Sequence, residues 1–422
     1  MRFKGQSPGL RRFAAAACCF VGFAGVLAGC GSSGSSSSST SSSASTEKAA
    51  APASGGVAAA KKIVDAALHS AVVGPGAGPI TAENTGPAKA SDIAPVELKP
   101  SGKGKSVVLV PCAAQDPACN GQAKASAVAF KALGWSVRII PSKDYAPASF
   151  QAVWDNAVNL KPDAIVGYGT SGSVIGPQLA RAKKAGIYTV FVNGTELSGK
   201  GFDGYVPAGW TLSQTTVAAA MIADQNGKAN IKWLDAPLFP DLGVKTGIEF
   251  VKANCPDCKL TTAKFDAVQC IDPVKMGQLM SSSIQSQPGL RYLPVPGASC
   301  NDDAASQAAR SSSSPDAQMV GPNLNYQNQA WLEKGQIPWM VGAPEAWIGL
   351  QAVDAVLRGA ESLPAVDPVD YKIGAYLATK ETAPDNPKLS NGPINAWTVK
   401  QFDYVTPYAK AWGIDLDALK TP

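Results

Sequence analysis

Val107-Val-Leu-Val110 is an unbroken apolar, mostly β-branched run. It is short enough for a strand and too uniform for a strand with one wet face, so it reads as a central strand covered on both sides. The surrounding chain repeats the theme. Gln122 to Leu133 carries helical apolar spacing and ends at Gly134. Ser136 to Ile140 is a second strand, and Ser149 to Leu160 a second helix that Pro162 stops. Ala164-Ile-Val166 is a third strand, Val174 to Ala185 a third helix before Gly186, and Tyr188 to Val192 a fourth strand. This alternation is that of βαβ units, which require a parallel sheet between helix layers.

After Gly209-Trp210 the rhythm restarts. Strands are expected at 231–234, 259–265, 290–295, 318–321 and 339–341, with helices at 213–223, 243–253, 274–283, 302–310 and 348–357. The fold class is therefore α/β, with two Rossmann-like lobes built on parallel sheets. Ligands of such sheets sit beyond the carboxyl ends of the strands, and two lobes in one chain put that crevice between them.

The chain leading into this core is of another kind. Arg2, Lys4, Arg11 and Arg12 precede an apolar run from Phe13 to Leu27, too short for a comfortable membrane span, and then Leu27-Ala-Gly-Cys30. That is a secretory signal pattern. Ser32 to Thr46 is nearly all serine and threonine, a tether that buries nothing. Gly56 to Ser70 has helical spacing, and Pro75, Pro79, Pro87, Pro95 and Pro100 are expected to break regular structure after it.

Composition excludes several functions. The net charge is +5 with scattered Lys and Arg, so there is no basic stripe for nucleic acid. The single histidine, His69, precedes the α/β region, and no Gly-x-Ser-x-Gly elbow occurs, which argues against Ser–His or Cys–His nucleophilic chemistry. Asp302 and Asp303 would suit a surface glycosidase, but adjacent helical residues point apart. Gly167-Tyr-Gly-Thr-Ser-Gly172 matches G-x-G-x-x-G, yet it follows the third strand and the next strand ends at Asn193 rather than an acid. It reads as a ligand loop, not a dinucleotide fingerprint.

Of nine cysteines, Cys18 and Cys19 fall within the signal and Cys30 directly follows it. The even remainder, Cys112, Cys119, Cys255, Cys258, Cys270 and Cys300, points to disulfides outside the cell. Proximity favours Cys112–Cys119 and Cys255–Cys258, leaving Cys270–Cys300, among about 15 formal pairings. Zinc is the rival for Cys255-Pro-Asp-Cys258, but a structural site needs four ligands, and no metal is expected.

Several stretches resemble the type I periplasmic binding proteins, in the ribose/galactose-binding branch. They are Ser106-Val-Val-Leu-Val-Pro111, Lys161-Pro-Asp-Ala-Ile-Val166, Lys184-Ala-Gly-Ile-Tyr-Thr-Val-Phe-Val-Asn193, Ser299-Cys-Asn-Asp-Asp-Ala-Ala305 and Ala352-Val-Asp-Ala-Val-Leu-Arg-Gly359. Leu27-Ala-Gly-Cys30 likewise resembles the bacterial lipobox, which implies a lipid on Cys30 and anchoring to the outer face of the cell membrane. The resemblance implies a lobed clamp with a three-crossing hinge, near Ala208, Gly342 and Tyr371, that delivers solute to an ABC permease. It implies no cofactor and no catalysis, and a monomer is expected. A receptor reporting to a membrane sensor is the alternative on the same fold.

The corresponding organisation is a signal peptide at 1–29, a tether at 30–56, a lead-in helix and Pro-rich linker at 57–102, a first lobe at 103–208 plus 343–371, a second lobe at 209–342, and a return crossing with C-terminal tail at 372–422. A small polar, sugar-like solute needs planar polar groups and aromatic faces. The strand-end loops offer Gln115, Asp116, Asn120, Tyr168, Ser171 and Asn193 from the first lobe. They offer Asp241, Phe265, Asp266, Asn301, Asp302 and Asn323 from the second, with Glu345 near the middle crossing.

Overall fold

The computed structural model describes residues 56–76, 79–97, 103–114, 116–194, 200–207, 209–235, 243–264, 266, 269, 272–295, 316–322, 324, 326–368, 370–382 and 402–420. The chain divides into residues 1–49 and 50–422, and both lobes lie in the second unit. Among the described residues, no helix is long and apolar enough to cross a membrane.

In chain order the first elements are helix α1 (Gly56–His69) and strands β1 (Val72–Pro75) and β2 (Gly86–Pro87). The first lobe follows: β3 (Ser106–Val110), α2 (Pro117–Ala132), β4 (Ser136–Ile139), α3 (Pro147–Asn159), β5 (Ala164–Tyr168), α4 (Gly176–Lys184), β6 (Tyr188–Gly194) and β7 (Gly204–Pro207). Its sheet has the order β4-β3-β5-β6-β7, every pair parallel. Each residue of β5 is buried, as a strand between two helix layers requires.

The second lobe is built from α5 (Trp210–Asp224), β8 (Asn230–Asp235), α6 (Val244–Asn254), β9 (Lys259–Lys264), α7 (Pro273–Gln285), β10 (Tyr292–Pro294), β11 (Gln318–Val320), α8 (Tyr326–Glu333) and β12 (Trp339–Gly342). β11-β10-β8-β9 is parallel, and a parallel bridge from Pro322 to Val341 leads on to β12. The chain then returns to the first lobe as α9 (Glu345–Ala360), which packs along α2. It crosses again to β13 (Lys372–Thr379), antiparallel to both β12 and β1. The helices α10 (Val405–Trp412) and α11 (Leu416–Lys420) lie on the first lobe, whose core takes in Phe402, Tyr404, Tyr408 and Trp412.

Four strands go beyond the sequence reading, among them the two-residue β2 at Gly86–Pro87. β1 carries Pro75 at its end, β7 is four residues ending in Pro207, and β13 falls within the stretch read as a return crossing. The lead-in helix also has a defined place. Every residue of α5 from Leu212 to Ile222 is buried, and Ala60, Ile63, Ala66 and Ala67 of α1 share their core. A helix apolar on every side must be covered on every side, and α1 supplies the outer cover.

The first two crossings sit at strand carboxyl ends. β7 stops at Pro207 and α5 starts at Trp210; β12 stops at Gly342 and α9 starts at Glu345. Because neighbouring strands are parallel, the strand-end loops of each lobe lie on the hinge side.

Candidate functional site

The loop between β3 and α2 is held from several directions. Asp116 caps α2 with Oδ1 accepting from Cys119 N (2.9 Å), and Pro117 occupies the first helical turn. Asp116 Oδ2 accepts from the Tyr145 hydroxyl at 2.5 Å. Asn120 Nδ2 lies 2.9 Å from Ala113 O, 3.1 Å from Ala114 O and 2.6 Å from Asp116 O. The Cys112–Cys119 disulfide closes the ring. With Asp116 only 2% exposed, its carboxylate and the Asn120 amide serve the loop from within.

The loops after β5 and β6 meet the same disulfide. Gly169 has φ +70°, and a Cβ there would stand 3.1 Å from Cys112 Cβ, so glycine suits the turn on both counts. Asn193, also left-handed at φ 77°, has Nδ2 3.9 Å from Cys119 Sγ. Tyr168 is 0% exposed, and its hydroxyl donates to Ser126 Oγ at 2.7 Å. Burial raises its pKa above the ordinary phenol value. Ser171 and Ser173 hydroxyls are 2.8 Å apart at the surface. Thr170 Oγ1 is buried at the end of β5 without a hydrogen-bond partner among the described residues.

Asp116, Asn120, Tyr168, Ser171 and Asn193 are thus brought together at the carboxyl ends of β3, β5 and β6. Asp116 and Tyr168 form the underside, while Ala114 is exposed and Ser171 and Asn193 are half-buried. Glu345 lies beneath this face at 1% exposure, hydrogen-bonded by Gln122 Nε2. Burial pushes its carboxyl up to about 8; Asp116 adds to this and the Gln122 bond opposes it. Asp266 is exposed and forms a reciprocal turn with Gln269. Gln115, Asp241, Phe265, Asn301, Asp302, Asn323, Cys30, Cys270 and Cys300 lie outside the described residues.

Gln122 and Tyr145 are partners the sequence reading did not single out. The Asp116-Pro117 pair does signal a helix start, earlier than the apolar spacing alone indicates. The two near-neighbour disulfides, Cys112–Cys119 and Cys255–Cys258, are both present. Cys112, Asp116 and Cys119 offer donor atoms within 4.8 Å of one another, but both sulfurs are engaged in the disulfide. A separate cavity of about 340 Å³ opens between Lys105, Trp135, Asp163, Tyr188 and Gly359, at the amino-terminal edge of the first sheet. It faces away from the strand-end loops.

Two parallel α/β lobes with strand ends at a shared hinge define a two-lobed binding protein. The chain belongs to the periplasmic binding protein family: residues 107–361, more than half of it, match the periplasmic binding protein domain. The fold is the type I arrangement. A solute binding protein of an ABC transporter from Agrobacterium vitis, bound with α-D-tagatopyranose, superposes with a TM-score of 0.59 at 15% identity, covering 67% of this chain and 97% of its own. One from Burkholderia graminis, in complex with D-arabinose, gives 0.57 at 14% identity, with 67% and 98% covered. The glucose-galactose binding protein GanP from Geobacillus stearothermophilus gives 0.56 at 15% identity, with 66% and 98% covered. No curated protein sequence matches the chain.

Proposed function

We propose that this chain is an extracytoplasmic, lipid-anchored solute-binding protein that holds a small polar, sugar-like ligand between its lobes and presents it to an ABC permease. The observation that carries the reading is the convergence of three first-lobe strand-end loops on one fixed face beside the hinge. There Ala114, Ser171 and Asn193 reach the surface above the Cys112–Cys119 disulfide. Structural relatives bound to tagatopyranose and arabinose support a sugar.

Ser171 and Asn193, with Gln115 and the second-lobe residues Asp241, Phe265, Asp266, Asn301, Asp302 and Asn323, supply the proposed ligand contacts, and Glu345 is proposed to support the face from beneath. Leu27-Ala-Gly-Cys30 and the serine-rich stretch after it support an anchor and tether. Calorimetric titration of the full chain with a panel of pentoses, hexoses and cyclitols tests the reading. Saturable binding without product formation is expected; no binding across the panel, or turnover, overturns it. Replacing Cys30 with serine should release the protein from membranes, and continued anchoring would refute the lipid attachment.

A further inference from the structure

The family match begins at residue 107, yet residues 56–76 and 79–97 are tied into both lobes. α1 covers α5, and β1 extends the second lobe's strands by pairing with β13 in the register Val72↔Ala375 to Pro75↔Lys372. Next comes Gly76, whose N–H donates to Tyr371 O at 2.7 Å. A Cβ on Gly76 would stand 2.3 Å from Pro368 O and 2.5 Å from Pro207 Cγ. Pro207 ends the strand that leads into the first crossing, and Pro368 and Tyr371 belong to the last. Gly76 therefore fills the gap between two crossings with no room for a side chain.

The segment then changes lobes. Ala88 N donates to Ala71 O (2.8 Å), still beside β1. A 3-10 turn at Ala90–Asp92 takes up length, closed by Asp92 Oδ2 accepting from Lys89 N at 2.7 Å. Ile93 enters the first-lobe core. Val96 N donates to Asp354 Oδ1 on α9 at 2.6 Å, while Arg358 Nε holds the other carboxylate oxygen at 2.7 Å. Asp354 is only 4% exposed, so this attachment is inside the lobe.

We propose that Gly76 and residues 79–97 form a hinge strap, a further connection between the lobes that sets how far they swing apart. Any rotation about the crossings must move Pro207 and Pro368 past Gly76, or pull Val96 from Asp354. The strap rests on the clamp reading above. It also joins the hinge to the end of the chain that would carry the tether.

The test uses the full chain without sugar, carrying nitroxides at Lys131→Cys on α2 and Lys252→Cys on α6, both exposed positions. Val96→Pro deletes the donor to Asp354, and Gly76→Ala inserts the excluded methyl. Gly86→Ala is the control, because its Cβ would meet nothing within 4 Å. Pulsed dipolar spectroscopy should show the mean distance shifted or the distribution widened by about 3 Å or more in the first two, one residue's length of extended chain, and unchanged in the control. Distributions superimposable on the parent for a folded Val96→Pro variant overturn the strap, even if Gly76→Ala does not fold. Sugar titration fails or succeeds independently, so loss of the clamp reading and loss of the strap are distinguishable.

Discussion

Gln122 Nε2 donates to the Glu345 carboxyl in a site with almost no solvent, linking α2 to the first turn of α9 just after the middle crossing. One amide donor is poor compensation for a buried charge, so the proton is retained. Burial foremost, with Asp116 adding, raises the Glu345 pKa from 4.5 to about 8.

The stability consequence has a definite sign. Above pH 4.5 the unfolded chain has released this proton, while the folded chain keeps it up to about pH 8. Stability from this group is complete below the unfolded value and is lost as pH rises through the folded one. Urea unfolding from pH 5 to 8 should show the parent losing up to about 1.4 kcal/mol per pH unit relative to Glu345→Gln, which carries no proton to lose. Parallel curves would mean that Glu345 is ionised in the fold.

Tyr145→Phe removes the 2.5 Å bond to Asp116 Oδ2 without changing the ring. Asp116 is buried, and leaving a buried acceptor without its donor costs about 1 to 3 kcal/mol. Denaturant midpoints should fall with an unchanged slope, because the same surface is exposed on unfolding. A neutral result would show that water or another group replaces the phenol.

The repeating α/β units were legible because buried parallel strands such as Val107-Val-Leu-Val110 and Ala164-Ile-Val166 are apolar on both faces, and no helix or hairpin strand looks like them. β13 escaped for a related reason. Ile373, Ala375 and Leu377 enter one core and Tyr376 and Ala378 another, so Lys372–Thr379 shows no polar alternation and no strong β-branched run. The first-lobe loops were identified by their place after strands, which local pattern reveals. Whether a loop side chain turns up to the proposed ligand face or down beneath it is set by contacts distant in sequence. Asp116 meets Tyr145, and Tyr168 meets Ser126. Neither partner is visible in the local pattern that selected Asp116 and Tyr168.

Ile63 is 1% exposed in α1 and packs in the second-lobe core with residues of α5. If α1 were a loose lead-in, Ile63→Ala would change stability by a few tenths of a kcal/mol. As part of that core, it should cost about 2 to 5 kcal/mol, the range for deleting a large buried aliphatic group. Thermal or urea unfolding of the variant decides between the two.

The two disulfides should open in a fixed order. Their sequence separations are 7 and 3, and loop entropy alone favours the longer by only about 0.6 kcal/mol per doubling of length. Access separates them further. Cys112 and Cys119 are both 3% exposed beneath Gly169 and Asn193, whereas Cys258 is half-buried at the end of the α6–β9 turn. Exchange requires a thiolate to reach a sulfur, so limiting dithiothreitol should reduce Cys255–Cys258 first. Timed alkylation followed by peptide mass spectrometry reads the order directly. Label appearing first on Cys112 and Cys119 would mean that the strand-end loop opens more readily than its hydrogen bonds imply, and that the fixed ligand face is a poor description of it.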